Sequence, residues 1–276
     1  MVVCMQVGIL HPGAMGAVIA GEARIPVMWA SEGRSPQTVE RAGRYRLVDR
    51  GSVEGLVAGS ELLISVCPPH AAVDVATQVE QLGFDGIYVD ANAVAPATVR
   101  EIATRFERFV DGGIIGPPPI EAGFARLYLA GGDAATVAAL WEGSNLDARV
   151  LDGDIGAASA LKVAYAGWTK GSTALLLAMR AYAEANDLGE EIVAEWETSI
   201  PGLAERVEGT AGRIGLKAWR FEGEMAEIAA AMGAVGLPEG FHDAARDVYQ
   251  RLSDLEGAEL ASVDGVNQRL LGEGDR

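Results

Sequence analysis

Hydrophobic and polar positions follow two different periods along this chain, and the change from one to the other divides it. Met5 to Leu10, Pro26 to Ala30, Arg46 to Asp49, Leu62 to Val66 and Gly86 to Asp90 are short runs that predict strands. Helices are predicted between them over Ala14 to Ala23, Ser35 to Gly43, His70 to Leu82 and Pro96 to Arg108. Ser35-Pro36 supplies an N-cap followed by a proline at the first helical position. Val99, Ile102 and Phe106 fall on one face of the last of these helices. Phe109-Val110-Asp111, Leu127 to Ala130 and Arg149 to Leu151 predict later strands, with a helix over Ala134 to Glu142. Nearly all-apolar strands alternating with helices predict a mostly parallel sheet covered on both faces. Such sheets bind ligands beyond the carboxyl ends of their strands. The turn at His11–Gly16, the turn after Ala30 and Cys67-Pro68 fall at such ends.

After Gly156 the strand pattern stops. Ala157 to Leu188 has no proline and few β-branched residues, which predicts one helix roughly 45 Å long at 1.5 Å per residue, ending at Gly189. Its middle, Thr173 to Met179, is apolar on nearly every face. Such a helix is buried on all sides or shared with a second subunit. Glu190 to Thr198, Leu203 to Arg213, Ala218 to Met232 and Gly240 to Leu255 predict further helices, and the polar residues from Gly272 a frayed end. Two domains follow: residues 1–155, α/β, and residues 156–276, all-helical.

Composition narrows the partners. Of 276 residues 49% are hydrophobic, ample for buried cores. The formal charge of −17 argues against nucleic acid and anionic membrane surfaces. Arg24, Arg34, Arg41, Arg44, Arg46 and Arg50 nevertheless cluster in sequence, as an ordinary solvated surface or as a local attraction for a phosphate. Cys4 and Cys67 lie in or beside apparent strands, with no C-x-x-C and no ligand spacing. They read as buried free thiols in a reducing compartment, with no metal site. The first residues read as a strand rather than a signal peptide, and no apolar run is long enough to span a bilayer, so a cytoplasmic location is expected.

Val7 to Gly16 (VGILHPGAMG) carries the first candidate chemistry. Strand, tight turn and helix in that order suit a cofactor pyrophosphate, because a helix start offers unpaired N–H groups. Gly13 lets the backbone approach the phosphates, and Gly16 lets helix and strand pack closely. His11 stands where the usual G-x-G-x-x-G pattern has its first glycine, followed by Pro12. A glycine-rich turn with no nucleotide role is the alternative. Candidate cofactor contacts are His11, Pro12, Gly13, Ala14, Met15 and Gly16, with Cys67 and Pro68 at the neighbouring strand end. NAD enzymes usually end the second strand in an acidic residue. Ser31 takes that position here, and Arg34 and Ser35 can hold a 2′-phosphate by charge-assisted hydrogen bonds. NADP is therefore expected over NAD, with Glu32 as the opposing feature.

Gly8 to Gly16, Asp90-Ala91-Asn92 with Pro96, Phe109-Val110-Asp111, Ala130-Gly131-Gly132, and Gly153, Gly156 and Lys162 occur in the order seen in the β-hydroxyacid dehydrogenases. That family includes 3-hydroxyisobutyrate and 6-phosphogluconate dehydrogenases and is related to the imine reductases. The chain resembles it over residues 5–185. The C-terminal part, with Gly236-Leu237-Pro238 and Gly240-Phe241-His242, is similar to a bacterial phosphogluconate-dehydrogenase-like subgroup. The resemblance implies a Rossmann-type N-terminal domain plus an all-α C-terminal domain, a homodimer, Lys162 as the catalytic lysine and Asn92 near the nicotinamide.

Two departures bear on the substrate. The family's asparagine one turn after the lysine is Ala166 here, with Tyr165 beside it. Its carboxylate-binding S-G-G loop is replaced by Ile114-Ile115-Gly116-Pro117-Pro118-Pro119, and prolines donate no hydrogen bonds. A less charged, bulkier small-molecule substrate is expected, with Ile115, Gly116, Pro117, Tyr165, Thr169 and His242 as candidate contacts. A packing role for Tyr165 and a surface position for His242 are the alternatives. A lysine near an apolar helix face has a lowered pKa that suits proton transfer; a snorkelling surface lysine is the other reading. Together these features predict an NADP-dependent oxidoreductase that moves hydride between the nicotinamide and a carbonyl or carbinol carbon, with Lys162 as general acid–base. An imine reductase and a non-catalytic NADP-binding regulator are the alternatives.

Overall fold

The computed structural model describes residues 5–214, 218–253 and 262–272. The chain divides into two compact units, Met1–Val163 and Ala164–Arg276. In the first, eight strands form one sheet: β1 (Val7–Ile9), β2 (Val27–Trp29), β3 (Val48–Asp49), β4 (Leu62–Ser65), β5 (Ile87–Asp90), β6 (Arg108–Ile115), β7 (Ala125–Ala130) and β8 (Leu146–Val150). Their order is β3-β2-β1-β4-β5-β6-β7-β8. Neighbours are parallel except β6 and β7, which pair antiparallel.

Among the described residues, six helices belong to this unit alone: α1 (Gly16–Glu22), α2 (Pro36–Arg44), α3 (Val53–Ala58), α4 (Ala72–Gln81), α5 (Pro96–Ala103) and α6 (Ala134–Ala138). Successive strand residues face opposite ways, and the two cores show it. Leu62, Ile64, Ile87, Val89 and Val110 pack with Ile19 of α1, Ala42 of α2 and Val137 of α6. Leu63, Tyr88 and Phe109 pack with Leu56 of α3, Ala76 of α4 and Ile102 of α5. This is the doubly covered, mostly parallel sheet that the apolar runs predict.

Tertiary packing moves several boundaries. The helix predicted to Arg108 stops at Ala103. Phe106 leaves it and stacks on Tyr88, with ring centroids 4.2 Å apart. The strand predicted over Phe109–Asp111 continues to Ile115, because β7 pairs along its whole second half. The helix predicted over Ala134 to Glu142 tightens at Ala139–Trp141 into a 3₁₀ turn, where Trp141 Nε1 donates to the Ile19 carbonyl at 2.9 Å. Helix α3 has no counterpart among the sequence expectations; Ser52 caps it by accepting the Gly55 N–H. Cys67 is half-buried rather than buried, and Cys4 lies outside the described residues.

The long helix, α7 (Ala157–Glu184), ends before Gly189. The chain turns at Asp187, whose φ is 56°, and Gly189 begins the next helix instead of ending this one. The first residues of α7 pack on β6, so the division into units falls within α7 rather than at residue 155. The second unit contains the rest of α7, then α8 (Gly189–Ser199), α9 (Leu203–Ile214), α10 (Ala218–Gly233), α11 (Gly240–Arg251) and α12 (Val263–Leu270). Residues 254 and 255 of the helix predicted to Leu255 lie outside the described residues, as does the predicted frayed end beyond residue 272. Lys170 of α7 pairs with Glu224 of α10 and lies 4.7 Å from the centre of the Phe221 ring. Tyr249 of α11 donates to the Lys170 carbonyl at 2.7 Å. Among the described residues, no helix is long and apolar enough to cross a membrane.

Candidate functional site

β1 delivers the chain into the turn His11–Met15. Gly13 N–H closes on the His11 carbonyl at 2.8 Å, and Ala17 N–H on the Gly13 carbonyl at 3.0 Å. A methyl group on Gly16 would lie 2.5 Å from the His11 oxygen, whereas one on Gly13 would meet open space. Two arginines hold the turn from the α2 side. Arg34 Nη2 donates to the Leu10 carbonyl at 3.1 Å, and Arg41 Nη1 to the Pro12 carbonyl at 3.3 Å. Burial, and then the charge of Arg34, push the His11 pKa down to about 4, so its imidazole is neutral near pH 7. His11 Nδ1 and Arg34 Nε are both buried without a hydrogen-bond partner. Buried polar atoms without partners are costly. Two of them, one in the turn and one on the guanidinium that braces it, fit a site that an anionic nucleotide completes.

The arginine cluster of the sequence separates in space. Arg34 and Arg41 reach the turn. Arg44 pairs with Glu40, Arg50 Nε donates to Met28 Sδ at 2.8 Å, and Arg24 donates to the Glu142 carbonyl. Ser31 N–H donates to Asp49 Oδ1 at 3.2 Å. Ser35 caps α2, its hydroxyl accepting the Thr38 N–H at 3.3 Å.

At the ends of β4 and β5 lies a buried polar cluster. Asn92 Oδ1 accepts the Cys67 N–H at 2.6 Å, and Asn92 Nδ2 donates to Ser65 Oγ at 3.1 Å and to Asp90 Oδ2 at 2.9 Å. Both amide hydrogens are therefore spent inside the protein, and Asn92 is only 3% exposed. These bonds fix the Cys67-Pro68 turn. Asp90 also accepts the Asn92 N–H at 3.0 Å. Burial pushes the Asp90 carboxyl up to about 7, with the negative charge of Asp111 adding to the effect.

Lys162 lies in the second turn of α7. A methyl group on Gly113 of β6 would stand 3.4 Å from Lys162 Cβ and 2.5 Å from the Ala158 carbonyl oxygen, so the missing side chain lets α7 sit directly on the strand. The preceding residue, Gly112, has the same relation to Ala91, which leads into Asn92. Lys162 is half-buried, and desolvation lowers its pKa. The helix itself is fastened by Asp111, which accepts the N–H groups of Gly156, Ala158 and Ser159 and the Ser159 hydroxyl.

The remaining candidates fall into separate places. Ile115 is buried in β6, paired with Arg126. Gly116 and Pro117 are exposed, and Gly116 has φ +114°. Within the second unit Tyr165 is 45% exposed. Thr169 Oγ1 donates to the Tyr165 carbonyl at 3.0 Å. His242 is not at the surface position considered for it. Its Nε2 lies 3.2 Å from the Gly167 carbonyl, and its ring fills the space left by Gly167 and Gly171. The sequence alone points to no role for Ser65, Asp90, Asp111 or Ser159. The available signal was an aspartate closing each of two apolar strands, Ile87–Asp90 and Phe109–Asp111.

A family described as a domain of unknown function, DUF1932, matches residues 183–252. The uncharacterized 28.5 kDa protein in the 7S RNA 5′ region of Methanothermus fervidus is 30% identical over 213 residues, 76% of this chain and 78% of that protein. A solved conserved protein of unknown function, described as structurally similar to 3-hydroxyacid dehydrogenases, is 27% identical with a TM-score of 0.71, over 91% of this chain and 98% of that one. Mycobacterium tuberculosis 3-hydroxyisobutyrate dehydrogenase with L-serine gives a TM-score of 0.73 at 15% identity, over 96% and 99%. The present chain has the fold of these hydroxyacid dehydrogenases.

Proposed function

The chain belongs to the family of the Methanothermus fervidus protein, and on that premise we propose that it is an NADP-dependent oxidoreductase acting on a small carbonyl or hydroxy compound, with Lys162 as the proton-transfer residue. The observation that carries the reading is the pairing of two features within one α/β unit. One is a phosphate-compatible turn with partnerless buried atoms at His11 and Arg34. The other is a half-buried lysine with lowered pKa mounted on β6.

The residues of the turn fit a dinucleotide. Gly13 leaves room for a pyrophosphate, and Arg34 Nε is free to donate to a phosphate oxygen. Ser31 and Arg34, at the end of β2, favour a 2′-phosphate over a bare ribose, since charge-assisted hydrogen bonds to guanidinium are strong. A nicotinamide bound there would supply hydride in reduction and take it up in oxidation. Lys162 gives a proton to the nascent alkoxide in reduction and removes the hydroxyl proton in oxidation. Burial lowers its pKa, which eases release of the proton. Asn92 and Asp90 hold the Cys67 turn in place. With Pro117, Pro118 and Pro119 where donors would be needed, the substrate lacks a carboxylate held in the family's usual way. The exposed apolar residues of α7 support a homodimer.

Fluorescence titration with both reduced cofactors, followed by turnover over a panel of carbonyl compounds and imines, tests the reading. NADPH should bind more tightly than NADH. Lys162→Met should keep NADPH affinity within a few-fold while kcat falls at least ~10²-fold, the low end for general acid–base catalysis. Equal cofactor affinities would remove the NADP assignment. A Lys162→Met protein with parent-like turnover would remove the lysine's role.

A further inference from the structure

Asp111 is fully buried in β6, and its carboxylate accepts four hydrogen bonds. Its Oδ2 accepts the N–H groups of Gly156 at 2.9 Å, Ala158 at 2.8 Å and Ser159 at 3.1 Å, and its Oδ1 accepts the Ser159 hydroxyl at 2.6 Å. An ionised carboxylate is an acceptor only, so four donors suit the charged form. The Ala158 and Ser159 amides belong to the first turn of α7, which has no carbonyls of its own helix to bond. Gly156, with φ +102°, shapes the entry to the helix. A carboxylate 45 residues earlier in the chain thus replaces a local cap. Lys162 rides one turn further on, against Gly113, two residues along the same strand.

The electrostatics of this corner give the carboxylate a second task. A helix start carries about half a positive charge, which disfavours a nearby ammonium. Arg100 of α5 adds a further positive charge there, its Nε donating to the Ile155 carbonyl at 3.3 Å. Asp90 stands opposite Asp111 on β5, and burial disfavours its charge. Asp111 is hydrogen-bonded directly to the helix start, and Asp152 and Asp154 precede it in the chain.

We propose that Asp111 is a positioning residue for Lys162, fixing the first turn of α7 on β6 and cancelling the positive end of the helix that carries the lysine. The proposal rests on the role given to Lys162 above, but its first readout needs no turnover. Lys162 is titrated in the intact protein by competitive acylation, followed at the Lys162 peptide by mass spectrometry. In Asp111→Asn, which removes the charge and keeps one carbonyl acceptor, Lys162 should titrate about 0.2–0.7 unit lower. With NADPH and a carbonyl substrate found by screening, the basic limb of kcat should move down with it, and NADPH affinity should hold. Unchanged Lys162 titration in a folded Asp111→Asn protein overturns the proposal. If the titration moves and the kcat limb does not follow, Asp111 acts on Lys162 as proposed, and the acid–base reading of Lys162 falls instead. Should Asp111→Asn not fold, Ser159→Ala decides. It keeps the charge, loosens the turn by one hydrogen bond, and should lower kcat by about 2- to 10-fold at unchanged NADPH affinity. Parent-like kcat in Ser159→Ala overturns the proposal in that case.

Discussion

Asp90 ends β5 with 1% of its surface exposed, and the N–H groups that meet it come from Asn92. Its pKa rises from 3.8 to about 7 on folding, burial being the first cause. Between those values the folded protein keeps a proton that the unfolded chain has lost. The contribution of Asp90 to stability is therefore full below the unfolded pKa and is lost as pH rises through the folded one. Asp90→Asn has no such dependence, though it gives up one acceptor for Asn92. Its Tm deficit relative to the parent should be largest below about pH 4, should shrink as pH rises and should be smallest by about pH 8. Thermal melts at a series of pH values check this, and a constant deficit would mean that Asp90 does not titrate in the window. At this scale the sequence was half legible. Lys162, Gly13 and Gly16 stand out by spacing. The partnerships of Asp90 and Asp111 do not, because their significance depends on donors that folding brings to them, some from 45 residues away. The bonds from the Asn92 amide to Ser65 and Asp90 are likewise invisible in the sequence, since folding brings Ser65 to it from 27 residues away.

Elements explain why the turn after β1 keeps its shape although its first glycine is replaced by His11. The turn is held from outside, by Arg34 on the Leu10 carbonyl and Arg41 on the Pro12 carbonyl. The strand-turn-helix order is local and was readable. The two arginine supports are not, since 24 and 29 residues separate them from their acceptors. The same distinction accounts for α5 and β6. Apolar spacing carried the helix through Phe106, yet stacking on Tyr88 takes that ring into the sheet layer. Arg34→Ala separates support from cofactor recognition. Losing a charged hydrogen bond to a 2′-phosphate costs about 1.5–3 kcal/mol, or about 10- to 100-fold in NADPH affinity. NADH, lacking that phosphate, should change by only a few-fold. Arg41→Ala, which only loosens the turn, should weaken both cofactors alike. Titrations of the two variants with both cofactors measure the difference. Equal losses of NADPH and NADH in Arg34→Ala would make Arg34 a support only.

On the scale of the whole molecule, α7 presents a problem that one chain leaves open. Ala174, Leu177 and Ala181 are buried, but Leu175 is 62%, Met179 44% and Tyr182 66% exposed. With Leu188, Ile192 and Trp196 of the α8 region these side chains line an apolar groove of about 620 Å³. The sequence signalled this as a helix apolar on nearly every face, and the structure divides that surface into a covered and an uncovered stripe. Contiguous exposed apolar surface of this kind marks an interface, and two-fold pairing of identical chains is the commonest way to cover it. A second copy is therefore the expected partner, and light scattering at micromolar concentration should give about twice 28.8 kDa. Each copy carries −17, so the two repel, and adding salt should strengthen their association by screening. Leu175→Asp puts a charge into the stripe without touching the covered residues. It should shift the protein to monomer while leaving the helical circular dichroism unchanged. A parent protein that stays near 28.8 kDa at high salt would show that the stripe is not closed by self-association. A Leu175→Asp protein that remains dimeric would move the interface to another face.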